Sequence, residues 1–546
     1  MTKTGRGRGT LKDGKSGPAP TTDTSRNRVH PGRTLTIAAA LTVVTLVAGV
    51  AAQNGSNAAP AVQPAVSPEE QQARVTCGGC HAVPPPDILP KAQWRDEFLK
   101  MMYLRENRLP PLGPPEVTRL APLPDDMRKV LPYYESRAPE HLPAPAAWPP
   151  ASESPVHFVK HPFSLPSTRD QPAVSNVRLG DFDGDGHIEM LATEMRVGLV
   201  LKANPSDASG TLSVLATAPH PDHVTPVDLD KDGILDLLVA DLGEFFPEDH
   251  DKGAVIWMRG LGNWKFSPFW LDGWPRVADV EAADFNGDGK LDLAVAAFGY
   301  HKTGNISILE NQITNPNQPA FKTHVVDPRT GAIHIIPIDL NKDGHMDFLV
   351  LLAQEHETVI AFINRGTGDF TFDQKVIYTA PHPNWGSSGI QLVDLDKDGD
   401  LDVILTHGDT FDDGIVKPYH GIQWLENTGT YPFVEHRLAD MPGVHRAIAT
   451  DLDGDGDLDI VACALLAGGA DVDESVLPAL VWLEQTTPGT FVRHTIETGF
   501  PRHASLDVAD IDGDGDIDIA AGNFSASRPV SSWIDVWENQ LRRTKQ

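Results

Sequence analysis

One short pattern, D-x-[DN]-x-D-G-x-x-[DE], occurs seven times after residue 180 of this 546-residue chain. The copies begin at Asp181, Asp228, Asp284, Asp339, Asp394, Asp451 and Asp510, so successive spacings are 47, 56, 55, 55, 57 and 59 residues. Each copy runs into a β-branched, Leu- and Ala-rich stretch, and most units later carry a second strand of the W-L-E-N type, such as QWLENTG or VWLEQT. A unit of about 55 residues fits four strands, the content of one propeller blade. Several units end in F-x-x-H, at Phe321–His324, Phe433–His436 and Phe491–His494, but the chain stops before the last unit can supply one. The same pattern stands ahead of the first loop, at Phe158–His161, where it is expected to complete the last blade and close a seven-membered ring. The fold class expected is therefore mainly β, a seven-bladed β-propeller.

The loop carries its own chemistry. Oxygens at positions 1, 3, 5 and 9, with Gly at position 6 for a sharp turn, can wrap one hard cation. The expected ligands are Asp181, Asp183, Asp185 and Glu189; Asp228, Asp230, Asp232 and Asp236; Asp284, Asn286, Asp288 and Asp292; and Asp339, Asn341, Asp343 and Asp347. The remaining three loops supply Asp394, Asp396, Asp398 and Asp402; Asp451, Asp453, Asp455 and Asp459; and Asp510, Asp512, Asp514 and Asp518. Carboxylates crowded into one turn repel each other unless a cation lies between them, which points to up to seven Ca²⁺ ions. The loop differs from an EF-hand at position 12, where Ala192 and Val239 replace the bidentate Glu. These repeats resemble the FG-GAP or VCBS family found in the integrin α-subunit propeller. The resemblance spans about 156–540 and implies a calcium-binding loop joining two strands of each blade.

The amino-terminal part is different in kind. Residues 1–34 hold eight basic and two acidic residues, whereas the whole chain carries a net charge of −30. Residues 35–52 are uncharged and apolar, the pattern of a transmembrane anchor or a signal h-region behind a basic cytoplasmic or signal n-region. Either reading places the rest outside the cytoplasm, periplasmic or on the cell surface, tethered by a single amino-terminal segment. Residues 53–70 read as a Pro- and Ala-rich linker. Cys77, Cys80 and His81 then form C-x-x-C-H, the attachment signature of a covalent haem c, with two thiols for the vinyl groups and an adjacent imidazole for the iron. Flanking helical patterns at 92–106 and 123–139 make 71–142 similar to a small all-α class I cytochrome c domain, with Asp125 expected to cap the last helix. That family usually adds a Met sulfur; Met101 is the choice here, ahead of Met102 and Met127.

A short linker, 143–155, leads to the propeller at 156–540, and 541–546 form a tail. Upstream of the loops, His223, His334, His445 and His503 recur with Arg276, Arg446 and Arg502, and are expected near the axis, where such groups line a wet channel or hold an anion, a carboxylate or a transition metal. Longer segments at 243–252 and 410–424 are candidate recognition loops. Cys463, in an apolar strand, reads as an inert buried thiol. The acidic balance argues against nucleic acid as a partner. These features lead to one-electron transfer through the haem, with the propeller docking a redox partner protein, a carbohydrate or a small-molecule ligand. The alternatives are a haem-coupled dehydrogenase for a sugar or alcohol, and an adhesive module with a haem sensor.

Overall fold

The structure, a computed structural model, describes residues 66–79, 81–106, 108, 121–166, 171–467, 472–526 and 529–541. The basic leader, the apolar segment 35–52 and Cys80 lie outside these residues. Among the described residues no helix is long and apolar enough to cross a membrane.

Seven four-stranded antiparallel sheets form the bulk of the molecule. Six are built from consecutive strands, and the seventh takes its outer strand from the far end of the chain: Phe158–Phe163 pairs antiparallel with Ile534–Asn539, Phe158 opposite Asn539. The F-x-x-H segment before the first loop thus completes the last blade, as the spacing required. Every neighbouring pair of blades shares an apolar core. The pair that closes the ring does so through Phe163, Val174, Met190, Leu201, Ala520 and Trp533. A ring closed this way leaves no sheet end without a neighbouring blade to cover its apolar face.

Each blade follows from its sequence pattern. The position-9 carboxylate is the first residue of a six-residue second strand that is buried along its whole length, as in Asp236–Asp241 and Asp347–Leu352. Covered on both faces, these strands read as continuous apolar runs. The outer strands instead mix exposed and half-buried residues, as in Phe321–Asp327, because one face meets water.

Among the described residues, the helical unit ahead of the propeller holds three α-helices, α1 (Pro68–Cys77), α2 (Trp94–Arg105) and α3 (Asp125–Arg137). Helix α1 starts inside the stretch expected to be linker, because Ser67 caps it by accepting the Glu70 N–H at 3.1 Å and Pro68 occupies its first turn. Asp125 does not cap α3: it is the first helical residue, and its side chain pairs with Arg128 at 2.6 Å. Pro132 is accommodated within α3. The Trp94 ring lies 4.2 Å from that of Tyr134, tilted by 37°, and with Phe98, Leu99, Met102 and Val130 the two form the core of this unit. The 143–155 connection is pinned rather than free, since Trp148 Nε1 donates to the Asp440 carbonyl at 3.0 Å and Trp482 Nε1 to Ser154 Oγ at 3.1 Å.

Candidate functional site

The rim loops come first because they hold the blades that build everything else. In blade two, Asp236 accepts the Leu229 N–H at 3.0 Å, the Gly260 N–H at 2.6 Å and the Trp257 indole N–H at 2.9 Å. Its counterparts tie loop to third strand in the same way, for example Asp518 with Ile511 and Asn539. Burial pushes these carboxyls up, to about 6 for Asp292 and Asp402 and about 7 for Asp459 and Asp518. Position 9 thus works as a structural pin as well as a candidate ligand.

Carboxylate oxygens converge in several loops: Asp181, Asp183 and Glu189; Asp228, Asp230 and Asp232; Asp394, Asp396 and Asp398; Asp451, Asp453 and Asp459. Asp230, Asp394 and Asp451 each keep one buried oxygen without a hydrogen-bond partner, which suits a cation. In blade two the Arg259 guanidinium sits 2.5 Å from Asp230 and 2.7 Å from Asp232, and in blade one Lys202 lies 3.4 Å from Glu189, so both loops have a resident positive charge. Position 4 of every loop has φ near +60 to +77°, occupied by Gly or by Lys231, Lys342 and Lys397. Lys231 and Lys342 reach the next blade's loop, donating to the Gly289 and Gly399 carbonyls at 2.6 and 2.7 Å.

The inner strands share a second feature. All seven are bulged at the same point, between Val174 and Asn176, Pro221 and His223, Val277 and Asp279, Ala332 and His334, Ser387 and Gly389, Val444 and Arg446, and His503 and Ser505. A bulge re-aims the following side chains. Side chains from the bulge onward line the channel: Arg178, Asp222, His223, Asp279, Glu281, His334, His445 and Arg446. His503 and Arg502 lie before the bulge and are excluded from it. Both are buried, His503 Nε2 lying 2.7 Å from Glu497 and Arg502 pairing with Glu474 at 2.6 Å. Their places near the axis in the sequence reading are therefore corrected, while Asp222, Asp279, Glu281 and Arg178 join the set.

The channel is crowded with ionisable groups. His223 Nδ1 lies 2.6 Å from Asp279, and His334 Nδ1 lies 3.7 Å from its other oxygen. Burial alone would raise the Asp279 carboxyl, but the two imidazoles outweigh it and hold it low. Burial raises Asp222 to about 6 and, with the charge of Asp279, Glu281 to about 7. Burial lowers His445 to about 4, so this imidazole is neutral at pH 7. Arg276 is only 7% exposed, and its Nε and one Nη have no partner.

A cavity of about 1880 Å³ runs from this channel to the helical unit. Its far wall is formed by Cys77, His81, Trp94, Phe98, Met101 and Met127, whereas Met102 is packed into the helical core. The 410–424 segment, expected to be a recognition loop, joins the two parts: Ile415 and Tyr419 pack into the helical core, and Lys100 Nζ donates to the Asp412 carbonyl at 3.3 Å. The 243–252 segment borders the cavity with Phe245 and Glu248 and leaves Phe246 72% exposed. Cys77, at the end of α1, has its thiol raised by burial. His81 Nδ1 lies 2.7 Å from the Ala82 carbonyl, an arrangement that leaves Nε2 as the nitrogen open to a metal. An apolar crevice, a thiol on its wall and an imidazole so oriented fit a haem. Cys463 is fully buried, and burial pushes its thiol up to about 12, in keeping with an inert core residue.

Residues 181–239, 228–295 and 339–405 match the FG-GAP-like repeat. A 219-residue stretch is 28% identical to the T-cell immunomodulatory protein homolog of Plasmodium yoelii yoelii, covering 34% of this chain and 29% of that relative. Among solved structures, BBS1N in complex with ARL6DN is similar at 14% identity and a TM-score of 0.42, over 73% of this chain and 99% of that one. The rhamnogalacturonan lyase YesW is similar at 14% identity and a TM-score of 0.38, over 72% of this chain and 77% of that one.

Proposed function

We propose that this chain is an exported c-type cytochrome fused to a calcium-stabilised propeller, which moves single electrons between a covalent haem and a partner or ligand met at the propeller mouth. The observation that carries the reading is the shared cavity, with Cys77 and His81 on one wall and the axial residues on the other. Cys77 and Cys80 would anchor the haem, His81 would bind its iron, and Met101 would be a second iron ligand. The haem, when bound, supplies a one-electron couple. The chain's own residues shape its surroundings: Trp94, Phe98 and Met127 keep the crevice apolar, and the 410–424 segment holds the helical unit on the propeller. The Asp loops would take Ca²⁺ and stiffen the ring rather than take part in electron transfer. The leader and the apolar segment 35–52 would carry the protein across, and tether it to, a membrane.

A second reading, oxidation of a sugar or alcohol in the channel with the haem as electron outlet, draws support from the same cavity, because a ligand on the axis would lie in the space the haem segment borders. A visible spectrum of residues 54–546, produced with c-type haem maturation and calcium, tests both. A covalent haem reduced only by dithionite or a redox protein supports the carrier. Reduction by one sugar or alcohol supports the oxidase-type activity, and absence of covalent haem ends both readings.

A further inference from the structure

We propose that the axial cluster His223, Asp279, Glu281 and His334 is a binding site for one divalent transition-metal ion of the Mn²⁺, Fe²⁺ or Zn²⁺ type. Three neighbouring blades supply these groups: His223 from the second, Asp279 and Glu281 from the third, and His334 from the fourth. Ligand atoms of His223, Asp279 and Glu281 all lie within 4.8 Å of one another. Unlike the carboxylate clusters of the Asp loops, it mixes imidazole with carboxylate.

Two features of hydrogen bonding suit a cation here. Asp279 is 3% exposed and its Oδ1 has no hydrogen-bond partner, for His223 Nδ1 approaches to 2.6 Å outside hydrogen-bond geometry. His334 Nε2 lies 3.4 Å from the Ser388 carbonyl, and an N–H directed there leaves the Nδ1 lone pair facing Asp279 Oδ2 at 3.7 Å. In that tautomer a lone pair stands beside a carboxylate oxygen in a buried place, an arrangement that a cation shared between them stabilises.

The surroundings are those of a metal centre with supported ligands. The Ile335 N–H donates to Asp279 Oδ2 at 3.1 Å, and Thr225 Oγ1 lies 3.2 Å from Glu281 Oε1, so both carboxylates are oriented from outside the cluster. Imidazole nitrogen combined with carboxylate oxygen selects Mn²⁺, Fe²⁺ or Zn²⁺ over Ca²⁺ and Mg²⁺, which prefer oxygen alone. The rim loops, all oxygen, make the opposite choice, so one chain would sort two classes of cation. Arg446, whose Nη1 donates to the Ile390 carbonyl at 2.8 Å, and Arg178 stand nearby as the charges an anionic ligand on the metal would meet.

The test uses the full haem-loaded chain in excess calcium, so that the rim loops are filled before a transition metal is offered. Isothermal titration with Mn²⁺ and with Zn²⁺, and elemental analysis with haem iron counted separately, give the stoichiometry. One equivalent of non-haem metal per chain is expected for the wild type. Glu281→Gln and His223→Gln are expected to weaken binding by about a hundredfold or more, while His445→Gln, in the same channel, keeps the wild-type affinity. Calcium-dependent melting, read in parallel, shows that each variant is folded, and Glu281→Gln serves if His223→Gln is not. A wild type that takes up no Mn²⁺, Fe²⁺ or Zn²⁺ in calcium overturns the proposal, as does equal uptake by folded Glu281→Gln. Haem content and reduction are independent of either result.

Discussion

The rim and the axis of the propeller are built from the same seven units, yet they differ in one respect. At the rim, position 1 is Asp in every copy and position 6 is Gly in every copy. Five residues earlier, on the inner strand, the copies carry Asn176, His223, Asp279, His334, Gly389, Arg446 and Ser505. Repetition marks what every blade needs in order to fold. Divergence is confined to the place where the blades converge, and there the individual identities can make one asymmetric site. The contrast implies that stability resides in the rim and in ring closure, whereas the axis contributes chemistry at small cost to stability.

The sharpest way to break this contrast is to open the ring. A chain starting at residue 167 lacks Phe158–Phe163, leaves the last blade one strand short and removes Phe163 from the closing core. It is expected to lose cooperative unfolding in calorimetry and to aggregate, whereas a chain starting at 143 melts as a folded propeller. Equal melting of the two would show that closure does not hold the ring. Calcium removal comes next. A loop held at a hundredfold excess over its dissociation constant adds about 2.7 kcal/mol, so chelation should lower the melting temperature steeply, and magnesium should not restore it.

Single side chains separate rim from axis more finely. Asp236→Ala leaves three buried donors unpaired and is expected to cost about 3–5 kcal/mol in denaturant unfolding. Arg276→Met, on the cavity wall next to the axis, removes a buried guanidinium with two unpartnered nitrogens and should be neutral or stabilising by about 1 kcal/mol. A large loss at Arg276 would place structural duty at the axis and erase the distinction. The smallest effect concerns the outermost strands. The hydrogen bond from His324, at 2.7 Å, is the first cause that lowers Glu310 to about 2 from 4.5. A depressed carboxyl stabilises fully above its unfolded value, and the contribution is lost as pH falls from 4.5 towards 2. The wild type should therefore lose more melting temperature across that window than His324→Gln, and identical slopes would show that the pair contributes nothing.

Much of this was legible in the chain because the signals are local. A D-x-D-x-D-G turn needs only its own residues, and the F-x-x-H segment at Phe158 announced its blade because its strand pattern had no unit of its own. The start of α1 was equally local, in Ser67-Pro68, but the Pro- and Ala-rich composition around it concealed the signal. Asp125 failed as a cap because the chain enters α3 from Pro124, which places the carboxylate one residue too late.

The sequence alone determined the number of blades, the closing strand, the Asp turns and the C-x-x-C-H segment, since each depends on residues within a few positions of one another. Tertiary structure alone decided what the inner strands present. A bulge of one residue separates His503, buried beside Glu497, from Ser505 on the channel, and no spacing rule for His and Arg anticipates it. Asp279 meets His223 and His334 because three blades converge when the ring closes. The cavity shared by Cys77 and the axis exists because Ile415 and Tyr419 of the fifth blade seat the helical unit there. The contact of Lys100 with Asp412 joins residues more than 300 positions apart, and only packing brings them together.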